Sequence, residues 1–315
     1  MKIKVLGIFI LLCPELLFAL KPDSVYIIRP ENFALIYKEM DISTPDGYNI
    51  KTWYYPAQEL INTKGDQGWF FYFSIGSLIQ REYKLINKQP KPTIILCNGD
   101  ADNMQGLINF VPYLVANGFN VVTFDWRGFG QSSKFPTDTS LLCYPEYLID
   151  YNAVIDSISK MADVDANNMG VYGGSTGAYL SFAVAYTNPL VKCFAGRALM
   201  TSFDDFLPFI YKVLPDKKGV IKKPENYPEN LFPVNIAPKF TKPAFLIVGK
   251  KDMRTPVKMS KKIYKNLKTN EKDKYLWIVK GAEHGGQYGP EYINFAEWQH
   301  KTLVFFDKYL KNNWW

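Results

Sequence analysis

The chain has 315 residues, enough for one large domain or two small ones and for a sizeable buried core. With 47% hydrophobic and 21% charged residues it has the composition of an ordinary folded globule, which excludes disorder, collagen and coiled coil. The net charge of +7 is spread thinly, with no basic arm, so nucleic acid is not an expected partner. The cysteines Cys13, Cys97, Cys143 and Cys193 have no C-x-x-C spacing and there are only two histidines, so no structural metal is expected.

Residues 1–20 place Lys2 and Lys4 before an apolar run from Val5 to Cys13, the layout of a secretory signal. Pro14 and Glu15 end that run well short of the roughly 20 residues a membrane span needs. The expectation is an exported protein, periplasmic or secreted, cleaved near Ala19 or Leu20. One alternative is lipid anchoring through Cys13, against which stands the bulky Leu12 before it. Another is a buried N-terminal helix in a cytosolic protein.

Residues 21–315 read as a single domain. Two β-rich segments, 37–44 and 48–57, flank the turn-forming Pro45-Asp46-Gly47 and should pair antiparallel. Six further strands follow, at 93–99, 120–126, 169–175, 193–201, 244–250 and 275–281. They alternate with helical stretches around 105–117, 144–162, 176–187, 256–268 and 291–311. Such alternation signals a mostly parallel sheet flanked by helices. Two segments interrupt it. Residues 58–92 contain the aromatic run 69–73, and the proline-rich 202–242 falls between the sixth and seventh strands, where α/β sheets bind ligands, so it is a candidate cap. Simple loops covering the edge of the core are the equally weighted alternative.

The segment from Met169 to Tyr179 is an apolar strand, then Gly173-x-Ser175-x-Gly177, then helix formers. A serine at such a sharp turn has strained backbone and needs small neighbours, which Gly173 and Gly177 supply. The helix starting at Thr176 points its free N–H groups to where an oxyanion would form. A serine hydroxyl needs a base, and histidine suits that role near neutrality. His284 follows the last strand beside Gly285 and Gly286, whereas His300 lies in an ordinary amphipathic helix, so His284 is the candidate. Asp252, after the strand at 244–250, is the candidate partner of the base, with Asp204 and Asp205 in reserve. The loop after the third strand, Asn98 to Asn103, offers the N–H of Asp100 or Ala101 as a second oxyanion donor beside Thr176. Asp125 and Arg127 read as structural residues pinning loops by charge-assisted hydrogen bonds.

Four ordered markers now stand out: the Asn98-Gly99 loop, Asp125-x-Arg127-Gly128-x-Gly130-x-Ser132, Gly173-x-Ser175-x-Gly177, and Gly249-x-x-Asp252-x-x-x-Pro256 followed by His284. With them the chain from about residue 37 resembles an α/β-hydrolase. Within that superfamily it resembles the monoglyceride lipase-like and serine aminopeptidase-like branch. Members usually carry His-Gly where this chain has Asn98-Gly99, which leaves the shape of the oxyanion loop open.

The resemblance implies a serine hydrolase without a cofactor. Its Ser175, His284 and Asp252 would form and hydrolyse an acyl-enzyme, and activity would fall as pH drops through the imidazole range. The expected substrate is a small-molecule ester or a lipid-like molecule, since the aromatic insertions favour apolar groups unless they are simply core. A peptidase, with Asp204 or Asp205 meeting a substrate amine, is the first alternative. A non-catalytic binding module on the same fold is the second. Trp314 and Trp315, beside Lys308 and Lys311, raise peripheral membrane association, with an ordinary frayed terminus as the plainer account. A Cys143–Cys193 disulfide is left open.

Overall fold

A computed structural model describes residues 19–64, 80–87 and 89–311. The leader with Cys13, the aromatic run 69–73 and Trp314-Trp315 lie outside the described residues. The central sheet has eight strands: β1 Lys38–Ser43, β2 Asn49–Tyr55, β3 Lys91–Cys97, β4 Asn120–Phe124, β5 Val164–Gly174, β6 Val191–Arg197, β7 Ala244–Gly249 and β8 Lys274–Val279. Their spatial order is β8-β7-β6-β5-β3-β4-β2-β1. The expected opening pair is antiparallel, and β3 to β8 all run parallel.

Strands such as β4 and β7, buried along their whole length, need cover on both faces, and helices provide it. Alternation within β3 shows the division: Ile94 and Leu96 join the core on one face of the sheet, Ile95 and Cys97 the core on the other. The main helices are α1 Val111–Ala116, α2 Glu146–Ile158, α3 Thr176–Thr187, α4 Phe203–Val213, α5 Val257–Asn266 and α6 Phe295–Phe306. Two expected helices are subdivided. A 3-10 segment, Met104–Phe110, precedes α1, and a short turn, Pro290–Ile293, precedes α6. Among the described residues no helix is long and apolar enough to cross a membrane.

The first insertion contributes a separate antiparallel hairpin, Gln58–Lys64 with Gln80–Leu85. The second supplies α4 and several short turns. Its Phe203 packs edge-on against Tyr179 of α3 at 5.6 Å, Tyr227 at 5.4 Å and Phe232 at 5.2 Å between ring centroids, and all four rings are buried. These four aromatics are core, so this part of the second insertion fills the fold.

Chain upstream of the sheet is stitched onto it. Ala19 and Leu20 are buried, and both donate their N–H to the Thr139 carbonyl. Lys21 and Pro22 pair in parallel with Ala101 and Asp102, and the Asn103 side chain donates to the Val25 carbonyl at 2.8 Å. Cys97, Cys143 and Cys193 are free and buried. Cys143 and Cys193 sit in the cores on opposite faces of the sheet, so the disulfide left open does not form.

Candidate active site

Ser175 occupies the step between β5 and α3 with φ 54° and ψ −120°, a conformation that costs a non-glycine residue free energy and persists only where surroundings enforce it. They do so closely. Its N–H donates to the Arg197 carbonyl at 2.9 Å. A Cβ at Gly173 would collide with the Gly177 carbonyl, and one at Gly177 with the Asn98 carbonyl after β3. Gly177→Ala, which should favour an isolated helix by about 1 kcal/mol, is therefore expected to destabilise this protein and slow probe labelling of Ser175. Urea unfolding and labelling rates check both effects.

Ser175 Oγ lies 3.0 Å from His284 Nε2, on the loop after β8. Nδ1 of the same ring lies 3.0 Å from Asp252 Oδ2 and 3.1 Å from Oδ1. Asp252 follows β7 and is buried. Its carboxylate accepts the Thr255 hydroxyl at 2.7 Å, the Thr255 N–H at 2.8 Å and the Arg254 N–H at 2.9 Å. Burial pushes the Asp252 carboxyl upward, but the His284 ring and the Thr255 donors outweigh it and hold the group below its ordinary value. The three residues picked from the sequence are thus in hydrogen-bonding contact.

Asp100, Ser175 and Thr176 line one small cavity, and Asp100, Ala101 and Ser175 a larger one, so both halves of the expected oxyanion region border the serine. Thr176 stands first in α3, where an N–H has no intrahelical acceptor. Asn98, the departure from the usual histidine, donates from its side chain to the Ala101 carbonyl at 3.0 Å and braces the loop.

Other candidates go elsewhere. Asp204 pairs with Lys223 at 2.8 Å, and Asp205 accepts the Thr201 hydroxyl at 2.6 Å and pairs with Lys262 at 3.1 Å. Both sit in the first turn of α4, and neither lines the cavities at Ser175. Ser202 caps that turn by accepting the Asp205 N–H, so these carboxylates serve the helix end and not a substrate amine. His300 borders a surface cavity with Tyr275 and Trp277, away from Ser175.

Asp125 and Arg127 pin loops. Arg127 is buried, bonds Asp150 through Nε at 2.8 Å and holds Asp46 of the opening turn at 2.6 and 3.0 Å. Asp125 accepts the Met104 N–H at 2.6 Å and the Tyr26 hydroxyl. Burial pushes its carboxyl up to about 7, against both of those bonds. The folded protein then keeps a proton that the unfolded chain releases, so stability falls as pH rises from about 4 to about 7, by up to about 4 kcal/mol. Asp125→Asn should flatten that slope, measured by urea unfolding of both proteins below and above the window.

One cluster has no local signature in the sequence. Arg197, at the end of β6, forms an ion pair with buried Glu291, and its guanidinium also donates to the His284 carbonyl. Tyr172 donates to Glu291 at 3.1 Å and receives the Trp298 N–H at 3.1 Å. A side chain on Gly174 or Gly285 would crowd the guanidinium. A charged residue directly after the apolar run 193–196 was the one available hint.

These loops enclose a half-open cleft of about 950 Å³, with Ser175, His284, Arg197 and Glu291 in its wall. The sheet order, the elbow and the cleft define an α/β-hydrolase, and the class is that of serine hydrolases. Residues 108–313 match the sequence profile of the prolyl oligopeptidase family, and the chain belongs to that family. It is 25% identical over 296 residues to the uncharacterised protein YfhR of Escherichia coli O157:H7, covering 90% of this chain and 94% of that one. Among solved structures it is similar to the Pyrococcus furiosus esterase Pf2001, with a TM-score of 0.67, 18% identity and coverage of 92% and 99%. It is also similar to an acylaminoacyl peptidase in complex with Z-Gly-Gly-Phe-chloromethyl ketone, with a TM-score of 0.65, 19% identity and coverage of 88% and 42%. Esterase and peptidase neighbours stand side by side. They support the superfamily without singling out the monoglyceride lipase-like and serine aminopeptidase-like branch.

Proposed function

We propose that this serine hydrolase cleaves small-molecule carboxylic esters through Ser175, His284 and Asp252. The observation that carries the reading is the unbroken relay from Ser175 Oγ to His284 Nε2 at 3.0 Å and from Nδ1 to Asp252 at 3.0 Å. In this mechanism His284 takes the serine proton as Oγ attacks the carbonyl, then returns it to the leaving oxygen. Asp252 stabilises the imidazolium, and the N–H groups of Thr176 and of Asp100 or Ala101 meet the oxyanion. Water repeats the cycle on the acyl-enzyme. The test is labelling by a fluorophosphonate probe beside Ser175→Ala. Labelling that persists in the variant, or is missing from folded wild type, removes the reading.

Membership of the prolyl oligopeptidase family favours a second reading, a peptidase, in which His284 protonates a leaving amine. Turnover of p-nitroanilides exceeding that of matched p-nitrophenyl esters would select it. The leader-like first 20 residues support export, and the burial of Ala19 and Leu20 favours a cut ahead of both. N-terminal sequencing of the mature protein checks this.

A further inference from the structure

We infer that residues 21–28 are a positioning segment for catalysis: they hold the loop 100–105 and so set the oxyanion donor that faces Thr176 across the site. The inference rests on the hydrolase reading above and adds to it the residues that aim its second donor.

The small cavity bordered by Asp100, Ser175 and Thr176 measures about 20 Å³. Roughly 10–15 Å³ on this scale is needed for one water, so the cavity takes a single oxygen, the carbonyl oxygen of a substrate that acylates Ser175. Its Thr176 side is the first residue of the 12-residue α3, whose walls are buried in the fold. Its Asp100 side belongs to no strand of the eight-stranded sheet. The loop there gains its only ladder from upstream chain, Lys21 and Pro22 pairing with Ala101 and Asp102.

Three consecutive carbonyls of that loop are anchored. The Asp100 carbonyl accepts the Lys21 N–H at 2.8 Å, the Ala101 carbonyl the Asn98 side chain at 3.0 Å, and the Asp102 carbonyl the Asp23 N–H at 3.3 Å. A peptide unit is planar, so fixing the Asp100 carbonyl also fixes the direction of the Ala101 N–H, and Asp100 cannot turn without breaking its bond to Lys21. The same segment clamps the far end of the loop. The Asn103 side chain donates to the Asp23 and Val25 carbonyls at 3.2 and 2.8 Å, and the Gln105 side-chain carbonyl accepts the Ile27 and Ile28 N–H groups at 2.7 and 2.9 Å. Asn103 and Gln105 are both buried. The Tyr26 hydroxyl donates to Asp125 Oδ2, while Oδ1 of the same carboxylate holds the Met104 N–H. An oxyanion donor acts only if it is aimed before the charge develops, and one such donor contributes about 100–1,000-fold to kcat. A misplacement of about 1 Å costs about 100-fold.

The test compares a p-nitrophenyl ester with its thiono analogue, in which sulfur replaces the carbonyl oxygen. Sulfur is larger and a poorer acceptor, so preference for the oxo ester reports on the oxyanion site, and as a ratio of kcat/KM values it does not depend on the fraction of protein folded. Lys21→Pro removes one N–H at a position that Pro22 already holds extended. It should lower kcat for the oxo ester about 10–100-fold with little change in KM, and cut the oxo preference at least about fivefold. The pH at which kcat/KM falls with His284 protonation should stay where it is in wild type. Gln105→Leu, which releases Ile27 and Ile28, should act in the same direction and decides if Lys21→Pro does not fold. A wild type indifferent to the sulfur, or a folded variant that keeps the wild-type preference, overturns the inference alone. No fluorophosphonate labelling and no turnover of either ester by folded wild type overturns the hydrolase reading and this one with it.

Discussion

Asp252→Asn is expected to lower kcat about ten-thousandfold with a small change in KM, a loss typical of removing the carboxylate that orients a catalytic histidine. Nδ1 of His284 faces both Asp252 oxygens, at 3.0 and 3.1 Å, so the native ring carries its proton there and leaves Nε2 free to take one from Ser175. An asparagine amide held by the same Thr255 and Arg254 donors would turn its NH₂ toward Nδ1. The ring proton would then move to Nε2, where it blocks the transfer. Steady-state kinetics check this, and a loss under tenfold would remove Asp252 from the relay. Stability gives a second readout. A carboxyl held below its unfolded value stabilises the fold above the ordinary carboxylate range, and that contribution is lost as pH falls through the lowered value. The variant should lack this acid-side loss.

Arg197→Met should cost about 3–5 kcal/mol, the range for breaking a buried ion pair and stranding its partner. Glu291 would keep the Tyr172 hydroxyl but lose its cation in a buried setting. The backbone carbonyl of Arg197, which holds the Ser175 N–H, survives the substitution, whereas the guanidinium bond to the His284 carbonyl does not. The variant should therefore lose order on the histidine side while the elbow stays formed. Changing Glu291→Met as well should restore part of the stability, because the uncompensated charge goes with it. Urea unfolding of the two singles and the double decides. Additive losses would mean that the pair is not coupled.

Much of this was legible because its signals are local. Short apolar runs alternating with longer helical stretches marked the sheet, the run from Met169 through Gly177 marked the elbow, and positions just after the last two strands chose Asp252 and His284. What escaped depends on residues remote in sequence. Arg197 and Glu291 are 94 positions apart, and no periodicity couples them. The aromatics of 202–242 look the same in sequence whether they line a pocket or fill it, and only packing against Tyr179 decides for filling. Asp204 and Asp205 were readable differently. Ser202 followed three residues later by Asp205 is a helix-start pattern that explains both carboxylates without a substrate.

The stitching of residues 21–28 onto the loop after β3 bears on when the protein becomes competent. That loop is held by Lys21, Asp23, Ile27 and Ile28, the last two donating to the Gln105 side chain across 78 and 77 positions. Ser175 and His284 are separated by 109. Closing such long loops is entropically costly and slow, and most of the return comes only when the distant partner arrives. A chain still being synthesised thus carries its serine before its histidine exists. The site is complete only when residues 21–28 have docked on the loop after β3 and the loop carrying His284 has reached Ser175.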